Sequence, residues 1–185
     1  MYRKKINIAI IGATGYVGLD LVYLLSKHPK VKITYLCAKK SIGKSIRSFD
    51  PRIKKTLPKI SNAKDIIWSN LNLVFLSLPS GEAQKIIKNN IKHKHIKFID
   101  LSADFRINNA NKYKQWYQKR HFAKHLIPYS LYSISEFVKK DIKKFKIIAN
   151  PGCYPTSIQL AIIPLIKKNL IKFKNISIDS KSGYS

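Results

Sequence analysis

Acidic residues are scarce in this chain of 185 residues: 9 Asp and Glu stand against 36 Lys and Arg, a formal charge of +27. Cysteine occurs twice, which excludes a disulfide-stapled scaffold and fits a reducing compartment. Arginine is rare too: the cations divide into 31 Lys and 5 Arg. They are scattered in pairs such as Lys39-Lys40, Lys54-Lys55 and Lys139-Lys140, with no run of five or more. Nucleic-acid binding favours clustered cations and the bidentate guanidinium, so this distribution speaks against a nucleic-acid partner. With 29 Ile and 12 Asn, it reads instead as compositional drift toward a few residue types. A long uninterrupted apolar run is also missing. Residues 6–25 are largely apolar behind a basic start, but they hold Asn7, Thr14, Asp20 and three glycines, with no small-residue cleavage site. Neither a signal peptide nor a membrane partner is expected, and the chain reads as cytoplasmic.

What is present suffices for a packed core: 45% of residues are hydrophobic, including 8 Phe, 10 Tyr and 2 Trp. The length suits one ordinary domain, or one domain and part of a second. Residues 6–11, Ile6-Asn7-Ile8-Ala9-Ile10-Ile11, form a short, nearly continuous β-branched run, the pattern of a buried parallel strand. The turn Gly12-Ala13-Thr14-Gly15-Tyr16-Val17-Gly18 follows. Apolar residues at Leu19, Leu21, Val22, Leu24 and Leu25 then predict a helix that stops before Pro29, and residues 31–37 a second strand.

Strand, glycine turn, helix and strand in that order make G-x-x-G-x-x-G a dinucleotide-binding candidate. Gly12 would permit the tight turn, Gly15 the approach of backbone N–H groups to a pyrophosphate, and Gly18 close helix–strand packing. The helix N-terminus would add free donors and its dipole. Glycines serving only turn and packing are the alternative. An acid at the end of the second strand would hold the ribose hydroxyl of NAD. Here that place reads Cys37-Ala38-Lys39-Lys40-Ser41, so Lys39 and Ser41 point to the 2′-phosphate of NADP(H), unless they only reflect the lysine excess.

Further strands are expected at 73–78, 97–101 and 146–149, with a helix over 82–90. Residues 41–72 carry little pattern. Alternating strands and helices predict an α/β fold, a doubly wound Rossmann-type parallel sheet over 1–150. Cys153 then opens a helix marked by Ile158, Ala161, Ile162, Leu165 and Ile166, with Pro155 suited to its first turn and Pro164 expected to kink or end it. A thiol at a helix N-terminus meets the positive end of the peptide dipoles, which favours the nucleophilic thiolate. Cys153 is therefore the candidate nucleophile, an inert buried thiol the alternative, and Cys37 reads as core. No metal site is read.

Three segments, residues 12–18, Asp100-Leu101-Ser102-Ala103-Asp104-Phe105-Arg106 and Gly152-Cys153-Tyr154-Pro155-Thr156, resemble N-acetyl-gamma-glutamyl-phosphate reductase of arginine biosynthesis, in the semialdehyde dehydrogenase superfamily. Aspartate-semialdehyde dehydrogenase, a relative, would carry an Asn-Cys-Thr type sequence at its nucleophile, unlike Gly152-Cys153-Tyr154. The resemblance implies NADPH-dependent reductive dephosphorylation of N-acetylglutamyl 5-phosphate: Cys153 would displace phosphate to form a thioester, whose reduction yields N-acetylglutamate 5-semialdehyde. It also implies Arg106 as the residue meeting the substrate's phosphate or carboxylate, with a structural pairing to Asp100 or Asp104 as the alternative.

The family's Tyr-Gly-Leu-Pro-Glu appears as Tyr132-Ser133-Ile134-Ser135-Glu136, and Ser80 stands where the family commonly has His. The ending Asp179-Ser180-Lys181-Ser182-Gly183-Tyr184-Ser185 resembles the start of the family's Ser-Gly-x-Ser-Gly-Ala-Gly segment. Residues 151–185 are thus expected to begin a truncated α+β catalytic and dimerisation domain, homo-oligomeric at full length and with little turnover as these residues alone. None of His28, His93, His95, His121 and His125 matches the family's acid/base position, and His93 and His95 read as exposed among lysines. Two other readings remain open: a non-catalytic NADP-binding remnant and a polyanion or nucleic-acid binder using the +27 charge.

Overall fold

The computed structural model describes residues 5–138 and 141–181; Lys139-Lys140 and the last four residues of the ending lie outside them. The chain divides into two compact units, one up to Asn150 and one from Pro151 on. Among the described residues, no helix is long and apolar enough to cross a membrane.

The first unit is built on β1 (Ile6–Ile11), α1 (Tyr16–Ser26), β2 (Val31–Cys37), β3 (Ile60–Ser61), β4 (Leu73–Leu76), α2 (Glu82–Asn90), β5 (Lys97–Asp100), α3 (Ala110–Tyr117), β6 (Ser130–Tyr132) and β7 (Ile147–Ala149). The strands form one sheet in the order β3-β2-β1-β4-β5-β7-β6, every neighbouring pair parallel. The order reverses between β1 and β4, where Ile8 pairs with Leu73 and Ile11 with Leu76. In such a sheet, ligands bind beyond the carboxyl ends of the strands at this reversal.

The near-continuous apolar runs have a physical cause: both faces are covered. Alternate residues of β1 enter opposite cores. Ala9 and Ile11 join Val74, Leu76, Phe98 and the α2 residues Ala83 and Ile87. Ile8 and Ile10 join Ile33, Leu36, Phe75 and the α1 residue Val22. This is the doubly wound architecture expected from the strand–helix alternation.

The differences lie where patterns are short or polar. The strand expected over 73–78 ends at Leu76, because the Ser77 N–H still reaches the Ile11 carbonyl (2.8 Å) but the chain then turns into Pro79. Strands β3 and β6, of two and three residues, are too brief to show a periodicity. Helix α3 buries only Tyr113, so it presents no apolar stripe; the Asn109 side chain starts it by accepting from the Asn111 and Lys112 N–H groups.

In the second unit, α4 (Cys153–Lys167) carries Pro155 in its first turn as expected. Pro164, expected to kink or end the helix, is followed by three more helical residues. It lies in the last turn, where the N–H it lacks costs a single intrahelical bond.

Asp100 closes β5 and is fully buried, accepting from the N–H groups of Ser102 (2.9 Å) and Phe105 (3.2 Å). Burial, the largest cause, pushes its carboxyl up to about 6, and Asp104 adds to the rise. The unfolded chain releases this proton near 4, so the folded chain holds one more proton between about 4 and 6. Stability from this group is present below the unfolded value and lost as pH rises through about 6. Denaturant unfolding of the chain beside Asp100→Asn should show the unsubstituted chain gaining on the variant as pH falls from 7 to 4, by on the order of 2 kcal/mol. A pH-independent difference would contradict the buried, protonating carboxyl.

Candidate functional site

The glycine turn sits at the carboxyl end of β1, pinned from both sides. The N–H groups of Gly12 and Ala13 donate to the Cys37 carbonyl at the end of β2 (2.8 and 3.0 Å). Gly12 has φ +90, and a Cβ there would lie 1.9 Å from the Ser77 carbonyl oxygen. A Cβ on Gly18 would lie 2.1 Å from the Gly12 carbonyl oxygen and 2.9 Å from the Ala13 carbonyl carbon. These two glycines are required by backbone crowding alone. Gly15 is different: its Cβ would meet only the Gly12 oxygen, at 3.7 Å, an ordinary contact. Its place matters because it is the N-cap of α1, where it supplies no side chain, and no acid stands in the first turn. The turn's other members grade outward, with Ala13 buried, Thr14 half-buried and Tyr16 and Val17 exposed. An open helix N-terminus with donors, dipole and no competing carboxylate suits an anionic pyrophosphate.

Past β2, Lys39 is exposed and its Nζ lies 3.7 Å from Glu82 Oε2. The hydrogen bond from Lys85 (3.1 Å), and secondly Lys39, hold the Glu82 carboxyl below its ordinary range. The acid missing from the end of β2 thus approaches from the start of α2, a placement without a local signal in the sequence. Ser41, on the same loop, adopts φ +66, a left-handed backbone uncommon for a residue with a Cβ.

The turn after β4 is held by a buried polar network that sequence patterns alone do not reveal. Gly81, at φ +95, caps α2 without a side chain. Asp104, fully buried and 23 residues away, supplies the missing acceptor. Its Oδ1 accepts from the Gly81 N–H (2.7 Å), the Tyr113 hydroxyl (2.9 Å) and Ser80 Oγ (3.3 Å), and its Oδ2 from the Gln84 N–H (3.1 Å). Ser80 Oγ also lies 2.9 Å from the Tyr113 hydroxyl, which accepts from Gln84 Nε2 (3.1 Å). Burial, with the Asp104 carboxylate adding to it, pushes the Tyr113 hydroxyl up to about 12. His121 is buried against Phe105 and Tyr113; its Nδ1 accepts from the Ala123 N–H (3.2 Å), so Nε2 carries the proton toward the Asp104 carbonyl (2.9 Å). Desolvation lowers its pKa, keeping it neutral. The one legible hint was the spacing of two acids in residues 100–106.

Arg106 pairs with neither acid. Its Nε donates to the Asn150 carbonyl (2.9 Å) and its Nη2 to the Leu101 carbonyl (3.0 Å). The guanidinium is therefore tethered between the carboxyl ends of β5 and β7, through neutral oxygens rather than the Asp100 or Asp104 pairing weighed from sequence.

In the second unit, Cys153 is the first residue of α4 and is exposed, with Gly152 as a cap lacking a side chain and no acid in the first turn. Cys37 is the opposite: fully buried, its Sγ lies 3.6 Å from Ser61 Oγ, and burial pushes its thiol up. Of the histidines read as exposed, His95 is so, whereas His93 is half-buried and stacks on Trp68 at 6.4 Å. Among the described residues, no group of three or more His, Cys, Asp or Glu is arranged to hold a metal.

Comparison with known proteins gives this geometry a lineage. The NAD binding domain of semialdehyde dehydrogenases matches residues 7–145, and their dimerisation domain matches residues 153–185. The chain is 44% identical over 184 residues to a probable chloroplastic N-acetyl-gamma-glutamyl-phosphate reductase of Arabidopsis thaliana, covering 99% of this chain and 45% of that one. It is 45% identical over 183 residues to N-acetyl-gamma-glutamyl-phosphate reductase of Ehrlichia canis, covering 98% and 52%. The chain thus spans about half the length of these curated relatives. Its fold is shared by aspartate semialdehyde dehydrogenase II of Vibrio cholerae (TM-score 0.64, 22% identity, 89% of this chain and 47% of that one). A Candida albicans aspartate semialdehyde dehydrogenase with NADP shares it too (TM-score 0.60, 20% identity, 89% and 48%). A parallel sheet whose β1 turn requires glycine at 12 and 18, matched across residues 7–145, makes this chain a member of the semialdehyde dehydrogenase family.

Proposed function

We propose that this chain serves the NADPH-dependent reductive dephosphorylation of N-acetylglutamyl 5-phosphate to N-acetylglutamate 5-semialdehyde, a reading supported by relatives named N-acetyl-gamma-glutamyl-phosphate reductase. The observation that carries the reading is a pair of features on one chain: an uncapped helix N-terminus behind a sterically required glycine turn, and an exposed thiol at the first position of α4. Residues up to Asn150 would form the cofactor domain, and those from Pro151 the start of a catalytic and dimerisation domain. Two copies of the whole protein would associate through the latter. A reducing compartment suits a free nucleophilic thiol, and we assign the cytoplasm.

Residues 12–18 would hold the pyrophosphate on the N–H groups of the first turn of α1, and Lys39 with Ser41 the 2′-phosphate. When bound, the cofactor supplies the hydride that takes the acyl group to the aldehyde level. The chain's own covalent step belongs to Cys153. Its thiolate sulfur attacks the acyl carbon, a carbon–sulfur bond forms, the carbon–oxygen bond to the phosphoryl group breaks, and inorganic phosphate leaves. Arg106, tethered by two carbonyls, would orient the phosphate or carboxylate with its remaining donors.

Three measurements test this. Calorimetric titration should find NADPH bound more tightly than NADH, and Lys39→Glu should weaken NADPH about tenfold while leaving NADH nearly unchanged, since only NADPH carries the 2′-phosphate. Gly18→Ala should weaken both at least tenfold, about 1.4 kcal/mol, because its methyl group collides with the Gly12 carbonyl. Incubation with N-acetylglutamyl 5-phosphate, without cofactor, should add an acyl mass to the chain that Cys153→Ser abolishes. Iodoacetamide should label Cys153 well ahead of Cys37. Failure of the unsubstituted chain to bind NADPH, or acylation surviving Cys153→Ser, would overturn the reading.

A further inference from the structure

The geometry points to Asp104 as a positioning residue for the nicotinamide half of the cofactor cleft, acting through the Pro79-Ser80-Gly81 turn. This rests on the dinucleotide reading of residues 12–18 and deepens it. Asp104 is a fully buried carboxylate that the covalent chemistry does not use. Its donors come from the turn (Ser80 and Gly81), from α2 (Gln84) and from α3 (Tyr113). A negative charge placed in the interior and matched by four donors from separate elements fixes those elements against one another.

The two helix N-termini beside the strand-order reversal are treated oppositely. That of α1 carries no capping side chain and no first-turn acid. That of α2 is closed from within, since Asp104 accepts from its Gly81 and Gln84 N–H groups. A pyrophosphate is thereby directed to α1, and the turn before α2 is left as a rigid wall instead of a second anion site. This wall abuts the glycine turn: the Ser77 N–H donates to Ile11, and the Ser77 carbonyl fills the place of a Gly12 side chain. In the sheet order, β1 lies between β2 and β4. The half of the dinucleotide that carries the 2′-phosphate belongs over β2, beside Lys39. The other mononucleotide half would then lie over β4 and its turn. A displacement of residues 79–81 therefore acts mainly on the nicotinamide half, while Lys39 serves the adenosine half from the loop after β2.

Tyr113 and Gln84 brace Asp104 in turn. The Tyr113 hydroxyl donates to Oδ1 and accepts from Gln84 Nε2, and Gln84 Oε1 accepts from the Phe122 N–H (2.6 Å). Tyr113→Phe deletes one donor to the carboxylate and leaves the ring in place against Tyr117 and His121. It is the milder perturbation beside Asp104→Asn.

The decisive experiment titrates the unsubstituted chain, Tyr113→Phe and Asp104→Asn with NADPH and, separately, with adenosine 2′,5′-bisphosphate, which lacks the nicotinamide half. We expect each variant to bind NADPH about tenfold more weakly, the scale of losing a hydrogen bond to a charged group, and the bisphosphate within about twofold of the unsubstituted chain. Equal weakening of both ligands would mean a general structural role and overturn the proposal. Unchanged NADPH affinity in Tyr113→Phe would overturn it as well, and that variant decides alone if Asp104→Asn does not fold. An unsubstituted chain that binds neither ligand would instead remove the dinucleotide reading itself, a distinct failure.

Discussion

Three stretches of backbone meet at the carboxyl end of β1 with no room for a side chain between them. The Ser77 carbonyl occupies the place of a Gly12 Cβ, and the Gly12 carbonyl that of a Gly18 Cβ. Much else follows from this crowding. It sets how closely α1 approaches the sheet, and with the bonds from Gly12 and Ala13 to Cys37 it locks β1 to β2. Through Ser77 it also brings the start of α2 to the same place. The approach is possible because the strands are covered on both faces and end in step, so three turns emerge side by side.

The charge is put to more ordinary uses than its size suggests. At the amino ends of the strands, Lys97 donates to the carbonyls of Lys143 and Phe145, and Lys146 to those of His93 and Lys94. Each lysine thus reaches the loop that leads into the other's strand. At the carboxyl ends, Arg106 does the same with Leu101 and Asn150. Cations for which an acid-poor chain has no carboxylate thus donate to backbone carbonyls instead. Arg52 is an exception, bonded to both Asp50 and Asp20. Where acids are few, their positions carry weight: Asp100 and Asp104 are both buried and both organise the turns at the carboxyl edge.

Fold and site differed in how plainly they could be read. Strands β1 and β2 and helices α1 and α2 were readable because continuous β-branched runs and apolar stripes express burial directly. Helix α3 was not, since it buries one tyrosine, and β3 and β6 were too short to bear a pattern. Cys153 was readable as a helix-start thiol from its flanking Gly152 and Pro155. Arg106 was singled out as a candidate, but its partners were not foreseen, because backbone carbonyls look the same at every position of a sequence.

The sequence alone determined the strand–helix alternation, the glycine spacing and the contrast between a core cysteine and a helix-start cysteine. These depend on neighbours within a turn or two of chain. Only the tertiary structure decided that Asp104 caps a helix about twenty residues upstream, that Glu82 rather than a β2 acid approaches Lys39, and that His121 is a buried neutral donor. The physical reason is the same in each case. A hydrogen bond or ion pair between distant elements depends on which loops the sheet order brings together, and that order is set by burial summed over the whole first unit rather than by any local pattern.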